Sequence, residues 1–196
     1  VFDHCAIAAN AGAQAQAAWN ELFAAYEKEY PVLAAEYKAV MAGEKPNFDD
    51  VEGLYEFAKP MATRQTSAQV LNKLAAVMPQ LMGGSADLGP SNLSDMKDTD
   101  EVKFGTFSAN DFSGRNMHFG IREHAMAAIA NGMQLHGGLR AYCSTFFVFC
   151  DYCKHSMRLA SLMNLPVTYI LTHDSIGVGE DGPTHQPVEQ LVMLRS

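Results

Sequence analysis

The chain has 196 residues, a formal net charge of −8 and 48% hydrophobic residues, which fits one core-forming domain with an appendage at about 150 residues per domain. The acidic balance excludes nucleic acid and anionic membrane surfaces as expected partners, because both attract basic proteins. No apolar run approaches the ~20 residues of a membrane span and no leader peptide is recognisable, so we expect a cytoplasmic location.

The first 45 residues predict helices that carry no catalytic chemistry. Residues 11–29 are alanine-rich with apolar positions at helical spacing, and Pro31 starts a second helix that ends near Met41. The glycine, proline and acidic residues of 43–50 are typical of a linker. We therefore expect a helical connector over 1–45 and a separate domain over 46–196.

Helices and strands alternate after the linker. A helix is predicted over 64–77, with Thr66 and Gln69 at capping-box spacing, followed by a strand over 80–82 and a turn over 83–87. Further strands are predicted over 116–119, 139–145 and 167–172. Further helices are predicted over 122–135, over 147–163 and from Pro187 onward. This alternation predicts an α/β fold with a mostly parallel sheet flanked by helices, whose ligands bind at the loops that follow the strands.

One glycine-rich segment admits a dinucleotide site. Gly177-Val-Gly-Glu-Asp-Gly182 matches the G-x-G-x-x-G pattern, follows a predicted strand and precedes a predicted helix. However, Glu180 and Asp181 would place two carboxylates against a pyrophosphate, and Pro183 follows at once. The mismatch disfavours a nicotinamide or flavin site.

The cysteines admit a metal site in principle. Cys150 and Cys153 form a C-x-x-C pair, with Cys143 before it and His155 after it. A single pair inside a predicted helix is more typical of packed thiols than of a zinc site. We expect inert thiols and no metal ligand in this chain.

Three further patterns point to ligand chemistry, each with an ordinary structural alternative. Glu123 opens a predicted helix, where the helix dipole favours any carboxylate, but it could also exchange a proton with a bound base. Phe146, Phe149 and Tyr152 recur every three residues, as a core stripe or as a stacking wall for a flat heteroaromatic ligand. His173 and His185 flank the glycine-rich loop, and with Asp181 between them they suit polyol recognition and proton transfer.

Three long segments together resemble the transketolase family: Gly83-Gly-Ser-Ala-Asp-Leu-Gly-Pro-Ser-Asn92, Phe119-Gly-Ile-Arg-Glu-His-Ala-Met126 and Thr172-His-Asp-Ser-Ile-Gly-Val-Gly-Glu-Asp-Gly-Pro-Thr-His-Gln-Pro187. The resemblance implies a thiamine-diphosphate enzyme that transfers a two-carbon ketol unit from a ketose phosphate to an aldose phosphate. It also implies a homodimer with active sites between subunits. Residues 46–196 resemble the central, pyrimidine-binding domain without its C-terminal end, and residues 1–45 resemble the helical tail of the preceding domain and its connector. The diphosphate-binding domain, which holds Mg²⁺, and the C-terminal domain are expected outside this chain.

The resemblance also assigns roles to single residues. Glu123 matches the glutamate that bonds N1′ of the cofactor's aminopyrimidine. The remaining cofactor-binding matches are the aromatic pocket residues and a nearby carboxylate: Phe146, Phe149, Tyr152 and Asp87. The matches to the sugar-phosphate clamp are Arg64, Ser91 and His173. Asp181 matches a group that reads a substrate hydroxyl, and His185 matches a catalytic and substrate-binding histidine near the reacting carbons.

Alternatives from other functional classes stay open. The chain begins at Val1 and stops inside a predicted helix, so we expect a piece of a longer enzyme that is inactive by itself. A non-catalytic pyrimidine-domain module that acts by association would carry the same motifs. A related synthase acting on pyruvate is a further alternative.

Overall fold

Alanine-rich sequence forms two helices at the beginning of the chain, α1 (Phe2–Glu29) and α2 (Pro31–Met41). The computed structural model describes all residues from Val1 to Ser196, and these helices belong to one compact unit, Val1–Glu44, while Lys45–Ser196 forms another. α1 begins well before residue 11, where we predicted its start, because the preceding residues are also good helix formers. Phe23 stacks on Trp19 and contacts Tyr37 of α2, with ring centroids 5.1 and 5.4 Å away.

Four parallel strands form the centre of the second unit. They are β1 (Leu81–Ser85), β2 (Asn116–His118), β3 (Arg140–Phe146) and β4 (Thr168–Thr172). Their order in the sheet is β2-β1-β3-β4, and each strand runs parallel to its neighbours. The carboxyl ends of all four strands therefore lie at the same edge of the sheet.

Helices connect the strands and complete the fold. They are α3 (Thr63–Val77), α4 (Gly89–Asn92), α5 (Glu123–His136), α6 (Cys150–Leu162) and α7 (Gln190–Arg195). The buried side chains of β3 show that both faces of the sheet are covered, because neighbouring residues of a strand point to opposite faces. Cys143 packs with Met126 and Ala130 of α5, and Tyr142 packs with Leu71 of α3. The predicted α/β fold with a parallel sheet and flanking helices is confirmed.

Several element boundaries differ from the predictions. The predicted turn over 83–87 is wrong at its start, since β1 continues through Gly83 and Gly84 to Ser85. A Cβ atom on either glycine would overlap a backbone carbonyl oxygen of the adjacent strand. The two glycines therefore permit close strand approach.

The helix boundaries differ for local reasons. Phe147–Phe149 forms a 3₁₀ turn, so that α6 begins only at Cys150. α7 begins at Gln190, not at Pro187. The predicted capping box of Thr66 and Gln69 is also wrong, because α3 already begins at Thr63. At the N-terminus of α3, the side-chain oxygen of Gln65 instead accepts a hydrogen bond from the backbone N–H of Ala62 at 3.1 Å.

The long polar segment between α4 and β2 is held by buried hydrogen bonds. The Tyr142 hydroxyl donates to the carbonyl of Ser94 at 2.8 Å, and the Asn116 side chain exchanges two bonds of 2.8 Å with the backbone of Met96. Arg115 donates to the carbonyl of Ala75 in the last turn of α3 and to that of Met78 just after the helix, at 2.7 Å each. None of the helices combines the length and apolar character needed to cross a bilayer.

Candidate cofactor and substrate site

A tight turn between β2 and α5 positions Glu123. Gly120 adopts a φ of 66°, in the left-handed region that favours glycine. The Arg122 side chain folds back over this turn, and its Nε donates to the carbonyl of Phe119 at 2.8 Å. Phe119 is buried in the core beside α5. Glu123 is thereby held, half-buried, at the carboxyl end of the sheet.

Glu123 faces a largely apolar pocket of about 430 Å³. The lining residues are Ala86, Leu88, Ile121, Glu123, Phe149 and Tyr152. Apart from the tyrosine hydroxyl, the carboxylate is the only polar side-chain group in this lining. The pocket therefore offers flat and apolar walls with one group able to hold a proton.

The predicted aromatic wall is present, although the residues do not lie on one helix. Phe146 ends β3, Phe149 lies in the 3₁₀ turn and Tyr152 lies in α6. The rings of Phe146 and Phe149 are 5.8 Å apart with planes at 6°, and those of Phe149 and Tyr152 are 6.1 Å apart. The helix prediction over 147–149 was wrong, but the end of β3, the 3₁₀ turn and the first turn of α6 still place the three rings next to one another.

A second pocket, of about 470 Å³, lies between the start of α3 and the loop after β4. Arg64, His173 and Asp181, three of the predicted substrate residues, line it together with Asp174 and Glu180. Arg64 Nη1 lies 3.4 Å from His173 Nε2. Burial and the Arg64 guanidinium lower the pKa of His173, while Asp181 and Asp174 act in the opposite direction.

Aromatic rings join the two pockets. The imidazole of His173 stacks on Phe146 with ring centroids 3.8 Å apart. His185 meets Phe146 and Phe149 edge-on, at 6.0 and 5.1 Å. The two histidines that flank the glycine-rich loop in sequence therefore return to the same aromatic cluster, between the Glu123 pocket and the Arg64 pocket.

Four predicted site residues line neither pocket: Phe146 and His185, which belong to the aromatic cluster, and Asp87 and Ser91. Asp87 is exposed, with a φ of 62°, between Ala86 and Leu88, which do line the Glu123 pocket. Ser91 is exposed on α4, where its backbone N–H donates to the carbonyl of Leu88 at 3.0 Å. Both residues lie on the segment that follows β1 and that contains the pocket residues Ala86 and Leu88.

The cysteine motif lies outside both pockets, and the glycine-rich motif contributes to the Arg64 pocket without forming a dinucleotide site. Cys150 and Cys153 are buried against Ala127 of α5, and burial raises their pKa values to about 11 and about 12. No group of three or more metal-ligating side chains comes together in the chain. Gly179–Asp181 forms a 3₁₀ turn, and α7 begins only at Gln190. The strand-turn-helix arrangement of a dinucleotide site is not formed.

Comparison with known proteins decides the family. A family model described as the transketolase pyrimidine binding domain matches residues 59–196. The chain belongs to the transketolase family. It is 53% identical over 186 residues to a transketolase of Halalkalibacterium halodurans, covering 94% of this chain and 27% of that protein. It is 50% identical over 198 residues to a transketolase of Bacillus subtilis, covering 100% of this chain and 29% of that protein.

Solved transketolases have the same fold over this region. A Pichia stipitis transketolase, described as a complex with sedoheptulose 7-phosphate, superposes with a TM-score of 0.83 at 42% identity. The match covers 93% of this chain and 28% of that chain. The chain thus spans under a third of the length of each of these three transketolases. The predicted family and fold are both confirmed.

Sequence reasoning missed several residues that line these pockets. Ile121 and Leu88 lie inside the transketolase-like motifs but carry no chemical group that distinguishes them from core residues. Glu180 disfavours a dinucleotide by its charge, and in the structure it lines the Arg64 pocket. Their common signal is position, since each follows the carboxyl end of a parallel strand.

Proposed function

We propose that this chain supplies the pyrimidine-binding half of a transketolase active site. The complete enzyme would use thiamine diphosphate to transfer a two-carbon ketol unit from a ketose phosphate to an aldose phosphate. The observation that carries this proposal is the joining of the Glu123 pocket to the Arg64 pocket through the stacked rings of Phe146 and His173. One site suits a flat heteroaromatic ring, and the adjoining site suits an anionic polyol.

The Glu123 pocket fits an aminopyrimidine ring. Phe149 and Tyr152 offer flat walls for stacking. Asp87 would place a second carboxylate near the ring, because it lies between the lining residues Ala86 and Leu88. Glu123 would hold a proton between its carboxyl group and a pyrimidine nitrogen, as a positioned acid or base does. When bound, thiamine diphosphate would supply the nucleophilic carbon that this reaction needs. The contribution of the chain is to orient the ring, exclude water from it and hold that proton.

The Arg64 pocket fits a sugar phosphate. A guanidinium fork is a natural partner for phosphate oxygens, and His173 lies beside it. Ser91 would complete the clamp from α4. Asp181 would accept a hydrogen bond from a substrate hydroxyl, and His185, between the pockets, would act near the reacting carbons. The Pichia stipitis relative, described as a complex with a ketose phosphate, supports this class of substrate.

The rest of the machinery is assigned to parts of the protein beyond this region. We propose that residues 1–45 are the tail of a diphosphate-binding domain and its connector, and that this domain supplies the ligands for Mg²⁺. Exposed apolar residues at the pocket rim, Ile121 and Tyr152, support contact with a complementary domain or the second subunit of a homodimer. The three buried free thiols support a reducing compartment such as the cytoplasm.

The proposal is tested by a ketol-transfer assay on the complete protein with thiamine diphosphate and Mg²⁺. We expect turnover of a ketose phosphate with an aldose phosphate acceptor and none with pyruvate. Consumption of pyruvate would favour the related synthases. Cofactor binding without any turnover would favour the non-catalytic module.

A further inference from the structure

A chain of hydrogen bonds runs from the sheet to the Arg64 pocket. Asn92 of α4 is fully buried, and its Nδ2 donates to Ser85 Oγ at 3.0 Å. Its Oδ1 accepts from Thr172 Oγ1 at 2.6 Å. Thr172 Oγ1 lies 2.9 Å from His173 Nδ1, and His173 Nε2 lies 3.4 Å from Arg64 Nη1.

The bond lengths show which group donates and which accepts in each of these hydrogen bonds. The Ser85 hydroxyl donates to the carbonyl of Ser144 at 3.0 Å, so that it can only accept from Asn92. A 3.0 Å bond between Asn92 and Ser85 is normal for N–H···O, whereas 2.6 Å between Asn92 and Thr172 falls in the range of O–H···O bonds. The amide oxygen therefore faces Thr172, and the Thr172 hydroxyl proton is directed at it.

This direction fixes the proton on the imidazole of His173. Because Thr172 has one hydroxyl proton and gives it to Asn92, its oxygen must accept from Nδ1–H of His173. The other ring nitrogen meets Arg64, which carries donors only. Both neighbours thus require the same arrangement, with the proton on Nδ1 and the lone pair on Nε2.

We propose that Asn92 and Thr172 are positioning residues that hold His173 as its neutral Nδ1–H tautomer, with the Nε2 lone pair facing the Arg64 pocket. The dianion of a phosphate monoester carries only hydrogen-bond acceptors, so it can bond Nε2 only after that nitrogen takes up one proton from solvent. Phosphate binding is then coupled to uptake of one proton. This second step rests on the proposed phosphate site, whereas the tautomer does not.

The charged groups around His173 agree with a neutral ring before an anion binds. Burial lowers the pKa of His173, and so do Arg64, which faces the ring from α3, and His185, which faces it from the turn over 183–185. Asp174 and Asp181 face it from the loop after β4 and oppose this shift. An oxyanion beside Arg64 would add negative charge next to Nε2 and so favour protonation.

The ring nitrogens of His173 report the tautomer directly. In the ¹⁵N-histidine-labelled chain, long-range proton–nitrogen correlation spectra distinguish Nδ1–H from Nε2–H rings, and His173→Gln identifies the signal. We expect the Nδ1–H pattern at pH 7.5. An Nε2–H pattern, or equal averaging of the two tautomers, would overturn the positioning role.

Substitutions separate positioning from general packing. Thr172→Val removes the hydroxyl and should shift the His173 signals away from the Nδ1–H pattern, whereas Thr172→Ser should restore it. Thr184→Val is the matched control, because Thr184 Oγ1 makes the same adjacent contact with His185 Nδ1 at 2.7 Å. An unchanged His173 pattern in a folded Thr172→Val chain would contradict the proposal.

Inorganic sulfate tests the proton coupling, because its charge stays constant between pH 6 and pH 8. We expect added sulfate to raise the pKa of His173 and to move Nε2 toward the imidazolium shift. If sulfate leaves the ring unchanged, His173 has no part in an anion site, and that part of the proposed function fails. The wild-type tautomer pattern would still decide the positioning role independently.

Discussion

The carboxylate of Glu123 is the residue on which proton transfer depends in the proposed site. Glu123→Gln keeps the shape of the side chain but removes the exchangeable carboxyl proton. We expect kcat of the complete enzyme to fall at least ~100-fold, the usual contribution of a positioned acid or base. Steady-state kinetics at saturating cofactor measure this effect. Glu189→Gln, at an exposed position outside both pockets, should have near-normal turnover.

Arg64 should distinguish phosphorylated from unphosphorylated substrates. A charge-assisted hydrogen bond contributes ~1.5–3 kcal/mol, so Arg64→Ala should raise KM for sugar phosphates roughly tenfold to hundredfold. KM for the matching unphosphorylated ketose should change little. Arg158→Ala, at an exposed position on α6 outside the Arg64 pocket, is the control. Equal losses for both kinds of substrate would show that Arg64 binds no phosphate.

The cysteines differ sharply in accessibility. Cys5 is exposed, whereas Cys143, Cys150 and Cys153 are buried. The thiolate is the reactive form, and a pKa of about 11 for Cys150 leaves roughly one thiolate per thousand at pH 8. We expect iodoacetamide to modify one thiol per native chain and four after denaturation. Cys5→Ser should abolish the native reaction, and rapid labelling of a second thiol would contradict the burial.

At the scale of elements, the glycine pair of β1 controls how closely the strands approach. A Cβ atom at Gly84 would overlap the carbonyl of Met117 in β2. Overpacking of this kind costs about 1–3 kcal/mol, so Gly84→Ala should lower Tm by roughly 3–10 °C. Gly132→Ala is the matched control, because nothing lies near its Cβ position in α5. It should raise stability by about 1 kcal/mol, and equal effects of both substitutions in thermal unfolding would contradict this account.

The elements that were predicted correctly carry regular patterns. Alternating helical and β-branched segments predict the parallel sheet, and the ends of its strands predict where Glu123 and His173 lie. What could not be predicted depends on contacts between distant segments. The sequence Gly83-Gly84 is typical of a turn, and only the neighbouring strands make it part of β1. The bond between Asn92 and Thr172 joins residues that are 80 positions apart, and the two motifs that contain them do not show that these side chains meet.

At the scale of the whole molecule, the chain exposes large apolar side chains around the functional edge. Ile121 is 78% exposed, Ile176 is fully exposed and Tyr152 is 63% exposed. Exposed apolar groups gathered near a pocket are typical of surfaces that meet another domain or subunit. Because the chain spans under a third of the length of the Halalkalibacterium halodurans and Bacillus subtilis transketolases, we expect these residues to be covered in the complete enzyme.

The energetics of cofactor binding predict that this 196-residue chain is catalytically inactive by itself. Thiamine diphosphate would be held at two ends, and the chain offers contacts to the pyrimidine end. Aromatic stacking contributes ~0.5–1.5 kcal/mol per pair beyond buried area, and one charge-assisted hydrogen bond ~1.5–3 kcal/mol. Association costs about 4–15 kcal/mol in lost freedom. The pyrimidine contacts alone should therefore bind the cofactor only weakly.

Calorimetric titration of the purified chain with thiamine diphosphate and Mg²⁺ tests this prediction, followed by a ketol-transfer assay. We expect no micromolar binding, no dependence on Mg²⁺ and no turnover. Adding a separately produced diphosphate-binding domain should restore both binding and turnover, because it supplies the contacts at the other end of the cofactor. The same mixture made with a Glu123→Gln chain should stay inactive, which separates restored chemistry from simple association. Micromolar, Mg²⁺-dependent binding by the chain alone would show that it holds both ends of the cofactor.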